Sequence, residues 1–423
     1  MTTQQQLVPG QFFRTPLLSA PERMIPEAGP CAPNTLVNLS QGSTVKFPLS
    51  KVENLDVIRG YLVKADIVWT FTEGSGETLT QSPLFPLNVF GPASLKMQAA
   101  YSTFDMPVWL ALVLQSYRSF LAPKAFTSGL ALGSNPFPGT YPGSLNFTNS
   151  TRFAPNQLGL VSGTQQTFSL FLEIPVAQYF DLYWDIDAQS GQALGAYPRA
   201  IVSPARMAAT QRNVTPSIRF NPLVSISDCY DSPVAKAAAD ATSTATGTAA
   251  LSWWRDGWVP TDNPLTEPPG YPWQYARMSL DVQPAGAVAP IVNLADDRAG
   301  QGQILSLVFA TWDPALNGGN GGFTPPSAYE KMELNVGSTV QLYEDTPDTN
   351  QYRWASKHGT SLPYGMFGWD LALTDDGKIT NERALNTLVQ AGCQLIPTYV
   401  SGSKPSNSST IYVGIESLQS VTT

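Results

Sequence analysis

Histidine, charge, paired cysteines and long apolar runs are all scarce in this chain, and each scarcity removes a class of function. The 423 residues include one histidine, His358. A Ser–His–Asp triad would have to use it, within the polar stretch Lys357-His358-Gly359-Thr360, and no G-x-S-x-G elbow occurs anywhere. A metal site built on several histidines is excluded. The three cysteines, Cys31, Cys229 and Cys393, lie far apart and form no C-x-x-C pair, which excludes a zinc ribbon or a thioredoxin-type motif. They fit buried thiols in a reducing compartment. The longest uninterrupted apolar run is Val108–Leu114, far short of the ~20 residues that cross a bilayer as a helix. No N-terminal stretch pairs a charged segment with an apolar one, so no secretory signal is expected.

Charged residues make up only 13% of the chain, about half the usual ~25%. The surface must then be covered by Ser, Thr, Asn, Gln, Gly and Pro. Such a neutral surface suits broad packing against copies of itself, because few charges must be desolvated. The net charge is −8, so the chain has no electrostatic footprint for a nucleic-acid backbone, and no sequence-specific nucleic-acid binding is expected.

Other motifs that suggest chemistry fail on spacing. Asp185-Ile186-Asp187 begins like a calcium loop, but Ser190 stands where glycine is needed and Ala196 where glutamate is needed, so these read as loop or cap carboxylates. Gly318-Gly319-Asn320-Gly321-Gly322 has neither the spacing nor the following Lys-Ser/Thr of a phosphate cradle. Sequons at Asn38, Asn146, Asn149, Asn213 and Asn407 are read as unmodified in the absence of a signal. Of the ten tryptophans, Trp69, Trp254 and Trp369 fall in strand patterns that bury them. No catalytic residue, metal site or cofactor is expected, although two carboxylates brought together in space would be invisible at this level.

What the chain does have is proline, glycine and alternation. Gly (33) and Pro (36) together are about one residue in six, above the usual ~12%, which favours many short strands joined by turns. Residues 1–35 read as an arm, since Pro9, Pro16, Pro21, Pro26, Pro30 and Pro33 work against regular structure. Its apolar residues Phe12, Phe13, Leu17 and Leu18, with Arg14, are the candidate assembly contacts, docking on a neighbouring subunit or packing on their own domain.

From there the period is two. Tyr61, Val63, Ala65, Ile67, Trp69 and Phe71 line one face of the clearest strand. Leu95–Tyr101, Phe168–Ile174 and the segment around Ile218 and Phe220 follow. Residues 124–165 read as a long decorated loop and residues 177–212 as one or two helices. In 234–250 the first half reads as a short helix and the Thr/Ser/Gly half as a flexible loop. Leu251–Pro260 is the last strand of the half, and 261–272, with four prolines and a glycine, is a linker.

The second half repeats the style. Met278, Leu280 and Val282 alternate; Gln303–Trp312 is apolar on both faces, as in a central sandwich strand. Met332–Val336 and Val340–Leu342 alternate around Gly337. Phe367–Leu373 alternate, Gln394–Val400 forms a strand, and Ile411, Val413 and Ile415 mark the last one. Thr380 is placed to cap a helix whose Leu385, Leu388 and Val389 share a face. Seven or eight short strands per half predict antiparallel sandwiches.

Arg59-Gly60-Tyr61-Leu62-Val63-Lys64, followed by Phe90-Gly91-Pro92-Ala93-Ser94-Leu95, resembles the opening of the first domain in the major capsid proteins of tectiviruses and their relatives, tailless phages with a membrane inside the capsid. Weaker similarity runs through Phe168–Val176, Ile304–Asp313 ahead of a Gly/Asn loop, Leu362-Pro363-Tyr364-Gly365 and the tail Ser417–Thr423. The 124–165 region and the 234–250 Ala/Thr stretch depart from the family pattern.

The resemblance implies an all-β fold of two tandem eight-stranded antiparallel jelly rolls, with short helices in connecting loops. The expected division is an arm at 1–35, a first roll at 36–260, a linker at 261–272 and a second roll at 273–423. The implied role is a structural one, in a virion made in the host cytoplasm. Homotrimers with a pseudo-hexagonal footprint would meet neighbouring capsomers, penton and minor capsid proteins, and the internal membrane through the arm. Two alternatives stay open: another virion component such as a penton, minor capsid or spike protein, or a carbohydrate-binding or carbohydrate-hydrolysing β-sandwich.

Overall fold

The computed structural model describes residues 22–26, 36–38, 43–46, 57–74, 80–81, 90–97, 101–107, 110, 162–175, 183–186, 193–197, 215–220, 230–231, 244–258, 273–294, 303–316, 321–336, 340–358, 361–362, 365–371, 385–386 and 392–420. Strands dominate them. In the first half these are β1 (Glu22–Pro26), β2 (Leu36–Asn38), β3 (Ser43–Lys46), β4 (Val57–Thr72), β5 (Thr80–Gln81), β6 (Phe90–Met97), β7 (Tyr101–Pro107), β8 (Gln166–Pro175), β9 (Tyr183–Ile186), β10 (Ala193–Tyr197), β11 (Thr215–Phe220), β12 (Tyr230–Asp231) and β13 (Thr244–Trp258). The second half contributes β14 (Trp273–Val282), β15 (Val292–Asn293), β16 (Gln303–Asp313), β17 (Gly322–Phe323), β18 (Tyr329–Val336), β19 (Val340–Asp345), β20 (Met366–Asp370), β21 (Leu385–Asn386), β22 (Gln394–Tyr399) and β23 (Thr410–Ser420), and the α-helix α1 (Pro347–His358) lies between β19 and β20.

The pairing has a simple logic in the second half. An antiparallel ribbon that pairs strand 1 with 8, 2 with 7, 3 with 6 and 4 with 5, then rolls up, becomes an eight-stranded jelly roll. Here β14 pairs β23, β15 pairs β22, β16 pairs β20 and β18 pairs β19, all antiparallel. Rolling adds the seams β16–β23 and β18–β22. The result is two facing sheets with strand orders 1-8-3-6 and 2-7-4-5. Taking β1 and β2 together as the first strand, the first half has the same ladder. β13 pairs both, β3 pairs β11, β4 pairs β8 and β6 pairs β7, with seams β4–β13 and β6–β11. One parallel pairing joins the halves: β14 lies beside β7, with Arg277 opposite Phe104 and Met278 opposite Asp105. Strand 5 of the first roll and strand 1 of the second thereby form one continuous sheet.

Period-two alternation builds the second core. Ile411, Val413 and Ile415 of β23 and Leu307 and Phe309 of β16 face Met332 and Leu334 of β18 and Leu395 and Tyr399 of β22, all fully buried. Each such side chain contributes roughly 1.5–3 kcal/mol when removed from water. Phe309 lies 5.7 Å from Phe367 and 6.0 Å from Trp369, ring centre to ring centre. Along β16 every residue from Ile304 to Thr311 is buried, so its outer face is covered too, as expected for a central strand. On that outer face Ser306 Oγ donates to Glu416 Oε2 at 2.7 Å.

Several expectations are corrected. Regular structure does occur inside the 1–35 stretch: β1 pairs with Trp254–Trp258, at the edge of its sheet, where a terminal proline removes no internal ladder bond. Residues 183–186 and 193–197 are a strand pair, not helix, so Asp185 is a strand residue. Thr244–Ala250 is the N-terminal half of β13, not a flexible loop; its partner β4 supplies an unbroken ladder opposite it from Thr72 to Asp66. Leu385 sits in a two-residue strand on β16 instead of a helix, while Leu388 and Val389 lie outside the described residues. So do the loop residues 124–161, the linker 261–272, Cys31 and Cys229. The strand expectations at β8, β11, β14, β18–β19, β20 and β22 agree with the structure.

Candidate assembly site

A sheet edge presents unpaired backbone N–H and C=O groups, and a stable protein must pair, cover or use each one. In the second roll the outer strands are 1 and 6 of one sheet and 2 and 5 of the other. Strand 1, β14, is joined to β7. Strand 2, β15, is only two residues long. Strands 6 and 5, β20 and β19, are treated in opposite ways.

The edge of β20 is closed by α1. Asn350 accepts from Gly368 N at 3.0 Å and donates to Gly368 O at 3.1 Å, so one side-chain amide mimics a neighbouring strand. Gln351 Nε2 donates to Met366 O at 2.7 Å, and Lys357 Nζ to Asp370 O at 2.8 Å. The helix is anchored by Asp345, whose side chain is fully buried. It accepts from Trp369 Nε1 at 2.8 Å and is held by Arg353 through Nε at 3.2 Å and Nη2 at 3.0 Å. Arg353 also lies over the Tyr343 ring, 5.2 Å from its centre. The carboxylate is buried but the Arg353 side chain is 43% exposed, so solvent screens part of this pair.

β19 is left open. Among the described residues it pairs only with β18. Its Val340 is 53% exposed and Leu342 43% exposed. The neighbouring outer surface carries a small ion cluster in which Lys331 binds Glu333 and Glu344. These contacts raise the Lys331 ammonium above its usual range, Glu333 first, and lower the Glu344 carboxyl. At one end of the roll, Val288, Ile291 and Val400 are exposed around backbone bonds from Tyr399 N to Val288 O and from Val400 N to Ala328 O. The 400–409 loop is pinned to β16 by Asp313, which accepts from Ser406 N at 3.0 Å and from the Ser406 hydroxyl.

His358 ends α1 and is not a loop residue. Among the described residues, no group of three or more His, Cys, Asp or Glu side chains is arranged to hold a metal, and no helix is long and apolar enough to cross a membrane. Burial pushes the Cys393 thiol up. The arm contacts expected at Phe12, Phe13, Arg14, Leu17 and Leu18 lie outside the described residues. The open edge of β19 escaped sequence reasoning, because alternation reveals a strand but not whether a partner lies beside it.

No family model matches the chain, and no curated protein matches it in sequence. Solved structures do. The STIV major capsid protein, from Sulfolobus turreted icosahedral virus, is 11% identical with a TM-score of 0.53, covering 94% of this chain and 97% of its own. The PBCV-1 virus capsid gives 12%, 0.52, 94% and 94%. The Faustovirus major capsid protein gives 10%, 0.50, 95% and 91%. At this identity the likeness is one of fold, and it spans both halves with the strand ladder described above. The chain has the double jelly-roll fold of viral major capsid proteins.

Proposed function

We propose that this chain is the major capsid protein of an icosahedral virus and that its role is structural. The observation that carries the reading is end-to-end likeness to capsid proteins in a chain that holds the same jelly-roll ladder twice. The copies associate as homotrimers with a pseudo-hexagonal outline, which pack against neighbouring capsomers and against penton and minor capsid proteins in a virion built from host-cytoplasmic synthesis. The first roll takes in β1, the second spans 273–423, and 261–272 links them. The residues before Glu22 form the arm, whose Phe12, Phe13, Leu17 and Leu18 dock on a neighbouring subunit or meet an internal membrane. A low density of charge lets broad flanks come together with little desolvation, and obligate interfaces of this kind bury about 2,000–5,000 Å².

Mass spectrometry of purified virus particles tests this. The chain is expected to be the most abundant protein of the shell. A copy number matching only the fivefold vertices would assign it to the penton, and its absence from particles would remove the capsid role.

A further inference from the structure

We infer that the loop between β14 and β15, with Val288 and Ile291 exposed on it, is a docking surface for residues 125–151 of the same chain. The inference concerns contacts within one molecule and stands apart from the capsid reading.

The loop is apolar, exposed and held in one shape. Pro284–Asn293 contains no charged residue. Val288 is 44% exposed and Ile291 56%, and Val400 of the adjoining 400–409 loop is 38% exposed. Val288 O accepts from Tyr399 N at 2.8 Å, Pro284 O accepts from Ala287 N at 2.9 Å, and Pro284 and Pro290 are buried. Ala285 and Gly286 both take positive φ, 48° and 68°, as in the tight turns that favour Asn-Gly. Alanine is disfavoured in that region, and the Asn407 side chain lies so close to Gly286 that a side chain there would collide with it. Backbone strain of this kind persists where surrounding contacts enforce it, and it clusters at sites that clamp a ligand. A surface already fixed in shape binds with less ordering cost.

The parallel seam determines which segment lies nearest. β7 and β14 run side by side in the same direction, so Pro107 and Val282 finish at the same end of the shared sheet. β14 is the seam strand and β15 the outer strand of the facing sheet. The loop that joins them therefore crosses the side of the second roll that adjoins the first. From Pro107 the chain enters residues 108–161. It returns beside the end of β4, where Ser162 Oγ accepts from Glu73 N at 2.9 Å and Gly163 N donates to Phe71 O at 2.7 Å. Residues 108–124, at up to ~3.3–3.6 Å each, give 125–151 ample reach to the loop. The composition matches as well. Residues 125–151 contain no Asp, Glu, Lys, Arg or His, and they carry Phe126, Phe137, Tyr141 and Phe147. Burying these rings on Val288 and Ile291 desolvates no charge on either side.

Two experiments on the purified full-length chain test this. In the first, a photocrosslinking phenylalanine replaces Ile291 and the adducts are mapped by peptide mass spectrometry. They are expected within residues 125–151, on a band that stays at 45.6 kDa in a denaturing gel. Adducts at twice that mass would put a second copy on the loop. Adducts confined to other residues of the same chain, or none at all, would deny the segment this seat. Each of these results overturns the inference. In the second experiment, Val288→Lys with Ile291→Lys places two charges on the surface. Chymotrypsin cleavage after Phe126 and Phe147 is expected to quicken about tenfold or more, since cleavage follows the population of the undocked segment, while the far-ultraviolet spectrum stays wild type. An unchanged rate in a folded double variant also overturns it. If the double variant does not fold, the position of the adducts decides.

Discussion

Gly368 and Asn350 show how one residue of each kind closes a sheet. A side chain at 368 would collide with the Leu307 carbonyl and press on Val308 Cγ2 at 3.0 Å, so β20 approaches β16 closely only because the position is glycine. On its other side the same residue takes both of its hydrogen bonds from the Asn350 amide. Asn350→Ala leaves these buried groups unpaired, and we expect a loss of about 1–3 kcal/mol per group. Urea unfolding at fixed slope measures it. Trp369→Phe removes a donor to the buried Asp345 carboxylate and should lower the midpoint as well, whereas Gln341→Ala, on the exposed β19 edge, should leave it near wild type.

Tyr399 gives a pH dependence. Burial pushes its hydroxyl up to about 12, and burial likewise raises Tyr329 and Tyr412. A tyrosine in the unfolded chain ionises near pH ~10. Its folded pKa is higher, so the contribution to stability is complete below pH ~10 and is lost as the pH rises from about 10 towards about 12. The urea midpoint should therefore fall steeply above pH ~10, and Tyr399→Phe should make that fall shallower. A midpoint that is level through this range would contradict the burial of these hydroxyls.

At the scale of elements, what the sequence revealed depended on whether packing or pairing holds the element. β23 was legible because its apolar residues recur every second position, and β16 because it is apolar on both faces; both feed one core. The first half of β13 was not. Ala, Thr and Gly carry no apolar period, and only the ladder to β4 makes Thr244–Ala250 a strand. α1 was missed for a different reason: much of its inner face is polar, since Asn350, Gln351 and Lys357 bind backbone groups of β20, with Trp354 buried beside them. Its start was nevertheless written in the sequence. Thr346 bonds Thr349 N through Oγ1 at 3.4 Å, Pro347 follows at the first helical position and Asp348 lies in the first turn. Because this helix substitutes for a strand, replacing Asn350, Gln351 and Lys357 together with Ala should free the β20 edge. We expect concentration-dependent aggregation with increased thioflavin fluorescence at protein levels where the wild type gives none.

At the scale of the whole molecule, the duplication could not be read from residues. The two rolls share an order of pairings, β1/β2 through β13 and β14 through β23, without sharing a recognisable sequence repeat. Register and order are set by which faces must be buried, and many sequences satisfy the same pattern. The division into two similar halves was visible only as strand spacing and a proline-rich linker. The short motifs around Arg59 and Phe90 pointed to the correct fold, while the assembly arm was proposed from its prolines and the pairs Phe12-Phe13 and Leu17-Leu18 alone. Which strands lie at a sheet edge appears only when both sheets are laid out.

On the proposed function, two jelly rolls in one chain form a unit built to associate with copies of itself. Light scattering on the purified full-length chain, coupled to size-exclusion chromatography, addresses this most directly. A single species at three times 45.6 kDa, unchanged on tenfold dilution, is the predicted result. A species that stays at 45.6 kDa at high concentration would contradict it.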